Sequence, residues 1–567
     1  PIKTYQGKQT QLYISLLSFY YRNFRVQGFK VDVFTMDNSS TMEQQYCDTG
    51  HTGDRCCSGE EPQSGSVATD IHMLFEKVTH KRPSIYKVPE HLRTLNENAY
   101  TPWHVSIGPY HHKSHKYRVM EEQKLVYMES LILRSRRGRN KATNTNFQEV
   151  TKEEIDEYVK ELEKLEAEAR SCYAEKVELN KEEFVKMLLI DGCFVVEFLC
   201  RKLRKLAKFE DEAIPYFEKM YAFIINTYKR LNLSQDFILK SSRTAFEVRR
   251  DLTLLENQLP YFVLETLFDF TFKSESSSNS NIPNFRTIVY CGLRTSIPNI
   301  THILTEDEII KRIEIEPEAT AHFVSLLKSY CGPVLVKGEG IGSPFSIQGN
   351  RDDDQRVVPM YTGELSEFPC LCNMKTHEIR VPCAARLAKS GVLFQKMGGE
   401  EPLLQMSFDE KNGVLKMPVL ILWHHTESYF RNIMAYELYN HTANYSQNVS
   451  VSDYMCFMDD LINSKEDVAV LVKSGILQNW LESDDVVADL FNSITKHILA
   501  DYSSYSYICK QMNQFRKKYN IRQLKAVLRQ DYFNQPWAII YFITAVVIQT
   551  AASIIETVSN INENRGK

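Results

Sequence analysis

The sequence lacks a surplus of either charge: 68 Lys and Arg stand against 72 Asp and Glu, a formal net charge of −4. With a pI near 6.5 there is no basic footprint for a phosphate backbone, so nucleic acid is not expected as a partner. It lacks a cysteine framework. The 13 cysteines are an odd number scattered through a long chain, which argues for reduced thiols rather than a disulfide scaffold. It lacks internal repeats of about 20–50 residues, which sets solenoids and propellers aside. It lacks the G-x-S-x-G, H-E-x-x-H and kinase signatures, so spacing assigns no hydrolase, zincin or phosphotransferase site. It also lacks any long, charge-free apolar run before residue 537.

Such a run comes at the end. Residues 537–555 carry no charge over 19 positions. As a helix they would span about 28 Å at 1.5 Å per residue, against a hydrocarbon core of about 30 Å. The expectation is one C-terminal transmembrane helix within 535–557, followed by a polar tail at 558–567. Thr544, Gln549, Thr550 and Ser553 lower its hydropathy, so a buried core helix is the competing reading. Lys517, Lys518, Arg522, Lys525 and Arg529 precede the run, and only Arg565 and Lys567 follow it. The positive-inside rule then keeps the body in the cytosol, as a single-pass protein with the membrane as a partner, the plasma membrane favoured over endomembranes. Gln549, Ser553 and Glu556 share a face, with Ala545 and Ala552 beside it. Small and polar residues on one face suit helix pairing in lipid, so Gln549 and Ser553 are the expected self-association face.

Residues 1–84 read as disordered or as a gene-model extension, with translation starting at Met36 or Met42. Residues 85–534 read as a large, mainly α-helical body carrying a small β-containing insert at 330–415. Met120, Leu125, Met128, Leu131 and Ile132 predict one helical face. Thr151 followed by Glu154 predicts a capping box, and Ile155, Tyr158, Val159, Leu162, Leu165, Ala169 and Cys172 a stripe packed into the core. A helix restarting at Asn180 or Lys181 becomes apolar all round over 184–203, which predicts the central buried helix. Further helices are expected over 215–231 and 246–272, and strands over 333–337 and 414–422. Six sequons, at Asn38, Asn232, Asn299, Asn440, Asn444 and Asn448, matter only if the body is luminal.

The chemical constellations are thin. Gly338, Gly340 and Gly342 form a glycine-rich run, but Ser343 and Pro344 follow where a phosphate loop needs a lysine and a helix. Cys370, Cys372, His377 and Cys383 have the chemistry of zinc ligands but a C-x-C spacing with no second knuckle. Neither a cofactor nor a metal is assigned. His111 and His112, like His424 and His425, are adjacent, and adjacent side chains point to different faces. Leu252, Leu255 and Leu259 predict a helical stripe that Pro260 kinks or ends. Glu256 and Asn257, if buried there, must be hydrogen-bonded, so a structural network is favoured over catalysis.

Identity is carried elsewhere. Ile85 to Pro89, then Tyr100, Thr101 and Pro102, lead to Val105, Ser106, Ile107, Gly108, Pro109, Tyr110, His111 and His112. Met120, Glu121 and Glu122 come next. Asp191, Gly192, Cys193 and Phe194 follow, and then Asp251, Leu252 and the run from Leu254 through Glu256, Asn257 and Gln258 to Pro260. Later come Gly391, Val392 and Phe394, Thr426 and Glu427, Arg431 and Asn432, and Ala435, Tyr436 and Glu437. Asp453, Tyr454, Phe457, Met458 and Asp459 precede the end at Tyr532, Phe533, Asn534, Pro536 and Trp537. In order, from residue 85 to 557, these resemble the plant family DUF247, also called UPF0481, uncharacterised single-pass membrane proteins. Gln535 splits the family's usual Asn-Pro-Trp. The resemblance implies a plant protein with a C-terminal membrane helix and supplies no enzymatic activity.

The function expected is a membrane-anchored, non-enzymatic interaction, signalling or recognition module with protein partners. One alternative is a membrane-bound enzyme whose site gathers His111, His112, Asp191 and Glu256, with Asn257 beside them. Another, implied by grass members of the family at self-incompatibility loci, is a self-incompatibility-type recognition determinant.

Overall fold

The computed structural model describes residues 83–138, 149–207, 217–273, 282–298, 303–315, 320–332, 380–399, 401–440, 450–498, 504–527, 544 and 547–555. The chain divides into two units, Pro1–Val78 and Thr79–Lys567, and every described residue belongs to the second. Up to residue 332 the described elements are helices: α1 (Glu90–Arg93), α2 (Arg118–Gly138), α3 (Lys152–Ser171), α4 (Lys181–Leu206), α5 (Glu218–Thr227), α6 (Ser242–Asp251), α7 (Tyr261–Phe272), α8 (Phe285–Leu293), α9 (Glu306–Ile315) and α10 (Phe323–Cys331). From residue 380 come α11 (Ala384–Lys389), β1 (Leu393–Lys396), β2 (Ser407–Asp409), β3 (Val414–Met417), β4 (Leu420–Leu422), α12 (Thr426–Tyr439), α13 (Val451–Leu461), α14 (Lys465–Lys473), β5 (Leu477–Asn479), α15 (Asp484–Ile494) and α16 (Ser506–Val527).

The helix starts are written in the sequence. Glu154 N–H donates to Thr151 Oγ1 and Thr151 N–H donates to the Glu154 carboxylate, the capping box expected of α3. Asn180 and Glu183 repeat the exchange at α4. Within α4 every residue from 184 to 203 is buried except Lys186 and Ile190, because α2, α3, α5, α7 and α8 pack around it. A Cβ at Gly192 would collide with Leu267, so glycine is what lets α7 approach this closely. On α2 the structure departs from the expected face. Leu125 is 52% exposed while Lys124 is fully buried. The inward stripe runs Met120, Lys124, Tyr127, Met128 and Leu131 at three- and four-residue steps, and Leu125 lies about 100° round from Lys124.

The expected helix over 246–272 is two helices. Between α6 and α7 the residues from Leu252 to Pro260 are buried and irregular. The Leu252, Leu255 and Leu259 stripe is therefore not helical, and α7 starts at Tyr261 with Pro260 as its N-cap. Polar side chains have taken the backbone groups a helix would use, as described below.

The strands make two small sheets. β1 and β3 are parallel, Leu393 opposite Val414, and β2 runs antiparallel to β3, Phe408 opposite Leu415. β4 is parallel to β5, Leu420 opposite Leu477. The strand expected over 414–422 is thus β3 followed by β4. β5 was not expected, and it draws the β region beyond residue 415 by pairing with a segment between α14 and α15. The strand expected at 333–337, the run Gly338, Gly340 and Gly342, and Cys370, Cys372 and His377 lie outside the described residues. Cys193, Cys200, Cys383 and Cys509 are free thiols.

The transmembrane helix is corrected. Among the described residues no helix is long and apolar enough to cross a membrane. The helical stretch described there, 547–555, is nine residues long, about 14 Å at 1.5 Å per residue, and Gln549, Thr550 and Ser553 interrupt its apolar character. Apart from Thr544, the rest of 535–557 lies outside the described residues. The Ser553 hydroxyl, expected on a pairing face with Gln549, donates to the Gln549 carbonyl at 2.9 Å. The described residues therefore give no spanning helix for a single-pass anchor.

Candidate functional site

The side chains singled out by the sequence meet around one loop, residues 103–112. It is held from below by the segment 251–258 and from the side by α2 and α4. Asp251, at the last turn of α6, is fully buried. Its carboxylate accepts the N–H groups of Trp103 at 2.9 Å, His104 at 2.7 Å and Val105 at 3.0 Å. Arg250 Nη1 pairs with it at 3.0 Å, donates also to the carbonyls of Thr101 and Asn98, and lies 4.2 Å over the Trp103 ring. Burial pushes the Asp251 carboxyl above its ordinary value, against the pull of Arg250 and the three N–H groups.

Asn257 takes the next peptide. Its Oδ1 accepts Ile107 N–H at 2.7 Å, and its Nδ2 donates to the carbonyls of Val105 at 3.0 Å and Asp251 at 2.9 Å. Gln258 donates to the carbonyls of Leu252 and Leu254, both at 2.8 Å, and accepts Phe323 N–H at 2.9 Å. These two amides consume carbonyls that a continued helix would have bonded, which is why α6 stops and the chain stays irregular to Pro260.

Asp191, projecting from α4, accepts Gly108 N–H on Oδ2 at 2.9 Å and binds Lys124 Nζ on Oδ1 at 2.7 Å. Lys124 donates as well to Ser106 O at 2.5 Å and to Glu121 at 2.6 Å. The loop therefore hangs between one buried lysine and a set of buried acceptors. Gly108 has φ +75°, and a Cβ there would lie 2.5 Å from the Gln258 carbonyl oxygen. Gly108→Ala is expected to destabilise the fold by about 1–3 kcal/mol, the scale of local backbone strain. Urea unfolding checks this, and an unshifted midpoint would mean that the loop does not depend on that turn.

Glu256 forms the outer edge. It accepts Val88 N–H at 2.7 Å and a bond from Arg93, and His111 Nε2 lies 3.3 Å from its other oxygen. Burial acts most strongly on it and raises its pKa, but His111, Arg93 and the Val88 N–H together outweigh that and hold it below the ordinary carboxylate range. His112 turns the other way, into the field of Asp191 and Lys124, and burial lowers its imidazole. The two histidines do not converge. His111 and Glu256 meet each other, Asp191 serves a different part of the loop, and Asn257 is spent on backbone. Gln549 and Ser553 are not part of this arrangement.

Sequence reasoning missed Lys124 and Arg250 as members of this network. It also missed a second buried network on the far half of α4. There Glu197 binds Arg134 and Arg201, both at 2.7 Å, and the Tyr228 hydroxyl at 2.7 Å. Asp236 takes Arg201 at 2.8 Å and the Tyr127 hydroxyl at 2.8 Å. The available signal was an i, i+4 Glu197–Arg201 pair inside a helix otherwise apolar all round. Chemically, both networks hold and orient. Their acceptors are occupied by backbone N–H groups, tyrosine hydroxyls or internal cations. Among the described residues no group of three His, Cys, Asp or Glu side chains is arranged to hold a metal.

Comparison with known proteins follows the same lines. The family model of DUF247, described as a plant protein of unknown function, matches residues 85–550. A UPF0481 protein of Arabidopsis thaliana is 24% identical over 507 residues, covering 87% of this chain and 90% of its own. A second Arabidopsis UPF0481 protein is 23% identical over 531 residues, covering 83% and 89%. No solved structure matches.

Proposed function

The chain belongs to DUF247, a family of plant proteins of unknown function, and on that premise we propose that it is a non-enzymatic interaction module that recognises a protein partner. The observation that carries this reading is an exposed aromatic ledge. Trp423 and Trp480 stack with centroids 5.3 Å apart and planes 6° from parallel, and Trp480 is 61% exposed. They stand just beyond the ends of β4 and β5, whose last paired residues are Leu422 and Asn479. The sheet thus fixes both indoles in position. A rigid, half-bare indole pair is costly to leave in water, and tryptophan is enriched among residues that dominate protein interfaces. The buried networks support the same reading from the other side, because their polar groups are committed internally.

The test uses the full chain, affinity-tagged and purified natively from plant cells, with its mass read by light scattering. The expected result is a recurring complex heavier than the 65.9 kDa chain. Trp480→Ala is expected to release that partner while moving the unfolding free energy by less than about 0.5 kcal/mol, as for an exposed site. A chain that runs alone at its own mass, or a complex indifferent to Trp480→Ala, would sink the proposal.

A further inference from the structure

Several buried side-chain nitrogen and oxygen atoms that meet no hydrogen-bond partner among the described residues gather in one place. They are Arg249 Nε and Arg250 Nε on α6, Ser296 Oγ in the 3-10 turn Arg294–Ser296 after α8, and the ring of His425, the residue before α12, whose polar contact is with the Ser296 backbone and leaves one nitrogen over. Phe246 ties them together. The Arg249 guanidinium carbon lies 5.1 Å from its ring centroid, and the His425 ring meets the same ring edge-on at 4.7 Å. The backbone of Ser296 lies beside the imidazole. Both Ser296 and His425 are more than nine-tenths buried, at 1% and 4% exposure.

The charges here are of one sign. After burial, the groups that act on His425 include Arg249, Arg250 and the neighbouring His424, with no carboxylate among them. Together they lower the imidazole to about 3, so it is neutral at physiological pH. Arg250 is spent on Asp251, Thr101 and Asn98. Arg249 is not: burial alone acts on it, lowering its guanidinium to about 10. A guanidinium partly removed from water, with no counter-charge among the described residues, is unfavourable. Water satisfies a serine or an imidazole but brings no charge to an arginine. The place is also reachable, since Arg249 as a residue is only half-buried and His424 is at the surface.

We propose that Arg249, His425 and Ser296 bind a small oxyanion, inorganic phosphate or the phosphoryl group of a small monoester. Arg249 supplies charge and a planar fork of donors. The neutral imidazole and the serine hydroxyl supply further donors. The 14-residue helix α12 begins directly after His425, and its N-terminus adds partial positive charge. The site lies two residues along the chain from Trp423 and does not depend on the reading of the indole ledge.

Thermal unfolding of the full chain, with sodium phosphate replacing sodium chloride at constant ionic strength and neutral pH, tests the site. Inorganic phosphate is expected to raise the midpoint saturably, by about 2–4 °C near saturation, and Arg249→Gln is expected to abolish the rise. His425→Phe, which keeps the packing on Phe246, is the second variant should Arg249→Gln fail to fold. Equilibrium dialysis of the unmodified chain against radiolabelled phosphate gives a readout independent of both. A matching rise with phenyl phosphate identifies a monoester site, and a rise with inorganic phosphate alone identifies a free-ion site. No rise beyond that in chloride, an equal rise in the variants, or no saturable binding in dialysis would overturn the proposal.

Discussion

Replacing Lys124 by Met, with its partners left in place, is expected to destabilise the fold by about 3–5 kcal/mol, the scale for a buried ion pair robbed of one member. Lys124 is fully buried and Asp191 is 1% exposed. The ammonium serves Ser106 O, Glu121 and Asp191 at once. Without it the Asp191 carboxylate keeps only the Gly108 N–H, and the Ser106 carbonyl loses its donor. Lys124→Met with Asp191→Asn is expected to recover part of the loss, because the uncompensated charge leaves with it. The double-mutant cycle then isolates the coupling between the two. Lys87 and Glu175 form the control: they pair at 2.5 Å but are 48% and 51% exposed, so Lys87→Met is expected to cost less than about 1 kcal/mol. Equal urea midpoints for Lys124→Met and the unmodified protein would show that the buried pair does not hold the loop.

This pair also marks where the sequence stops being legible. Helix starts depend on residues three apart, so Thr151 with Glu154 and Asn180 with Glu183 can be read locally, and the predominantly apolar stretch of α4 announces its own burial. Lys124 is invisible to the same reasoning. A lysine between Met120 and Met128 looks like the edge of an amphipathic face, and only Asp191, 67 residues later, turns it inward. The break between α6 and α7 is hidden for a related reason. Leucines at 252, 255 and 259 fit a helical period, while the backbone acceptors claimed by Asn257 and Gln258 and the loop that Asn257 holds are fixed by tertiary structure. The segment from Asp251 to Pro260 could be singled out by its motif, and there Asp251, Asn257 and Gln258 spend their side chains on backbone groups. β5 could not be foreseen because its partner β4 lies more than fifty residues earlier. The C-terminal run shows the opposite failure. Counting uncharged residues predicted a spanning helix, and the helix described there, 547–555, is too short to cross a membrane.

Lowering the pH from 6.5 to 4 is expected to remove about 3 kcal/mol of stability through His322 alone, since one pKa unit is worth about 1.4 kcal/mol. His322 is fully buried and caps α10. Its Nδ1 accepts Ser325 N–H at 3.3 Å, its Nε2 lies 2.9 Å from the Ser84 carbonyl, and its ring meets Tyr436 edge-on at 5.1 Å. The proton therefore sits on Nε2. A second proton would go on Nδ1, facing the Ser325 N–H, and burial accordingly lowers the imidazole to about 4 from its ordinary 6.5. Because the folded value lies below the unfolded one, the unfolded chain takes up the proton first. The contribution of His322 is intact above pH 6.5, falls as the pH drops towards 4, and falls no further below that. Asn is a strong N-cap that accepts the same N–H and does not titrate. His322→Asn is therefore expected to narrow the gap in unfolding free energy between neutral pH and pH 4 by about 3 kcal/mol. The carboxyls of Asp251, Glu265, Asp459 and Asp460, raised by burial, act in the opposite sense, and His425, lowered by burial, acts in the same sense, but each acts equally in both proteins. The comparison therefore isolates one imidazole. An unchanged gap would show that His322 already binds its proton when folded, and the cap at α10 would have to be redrawn with a charged ring.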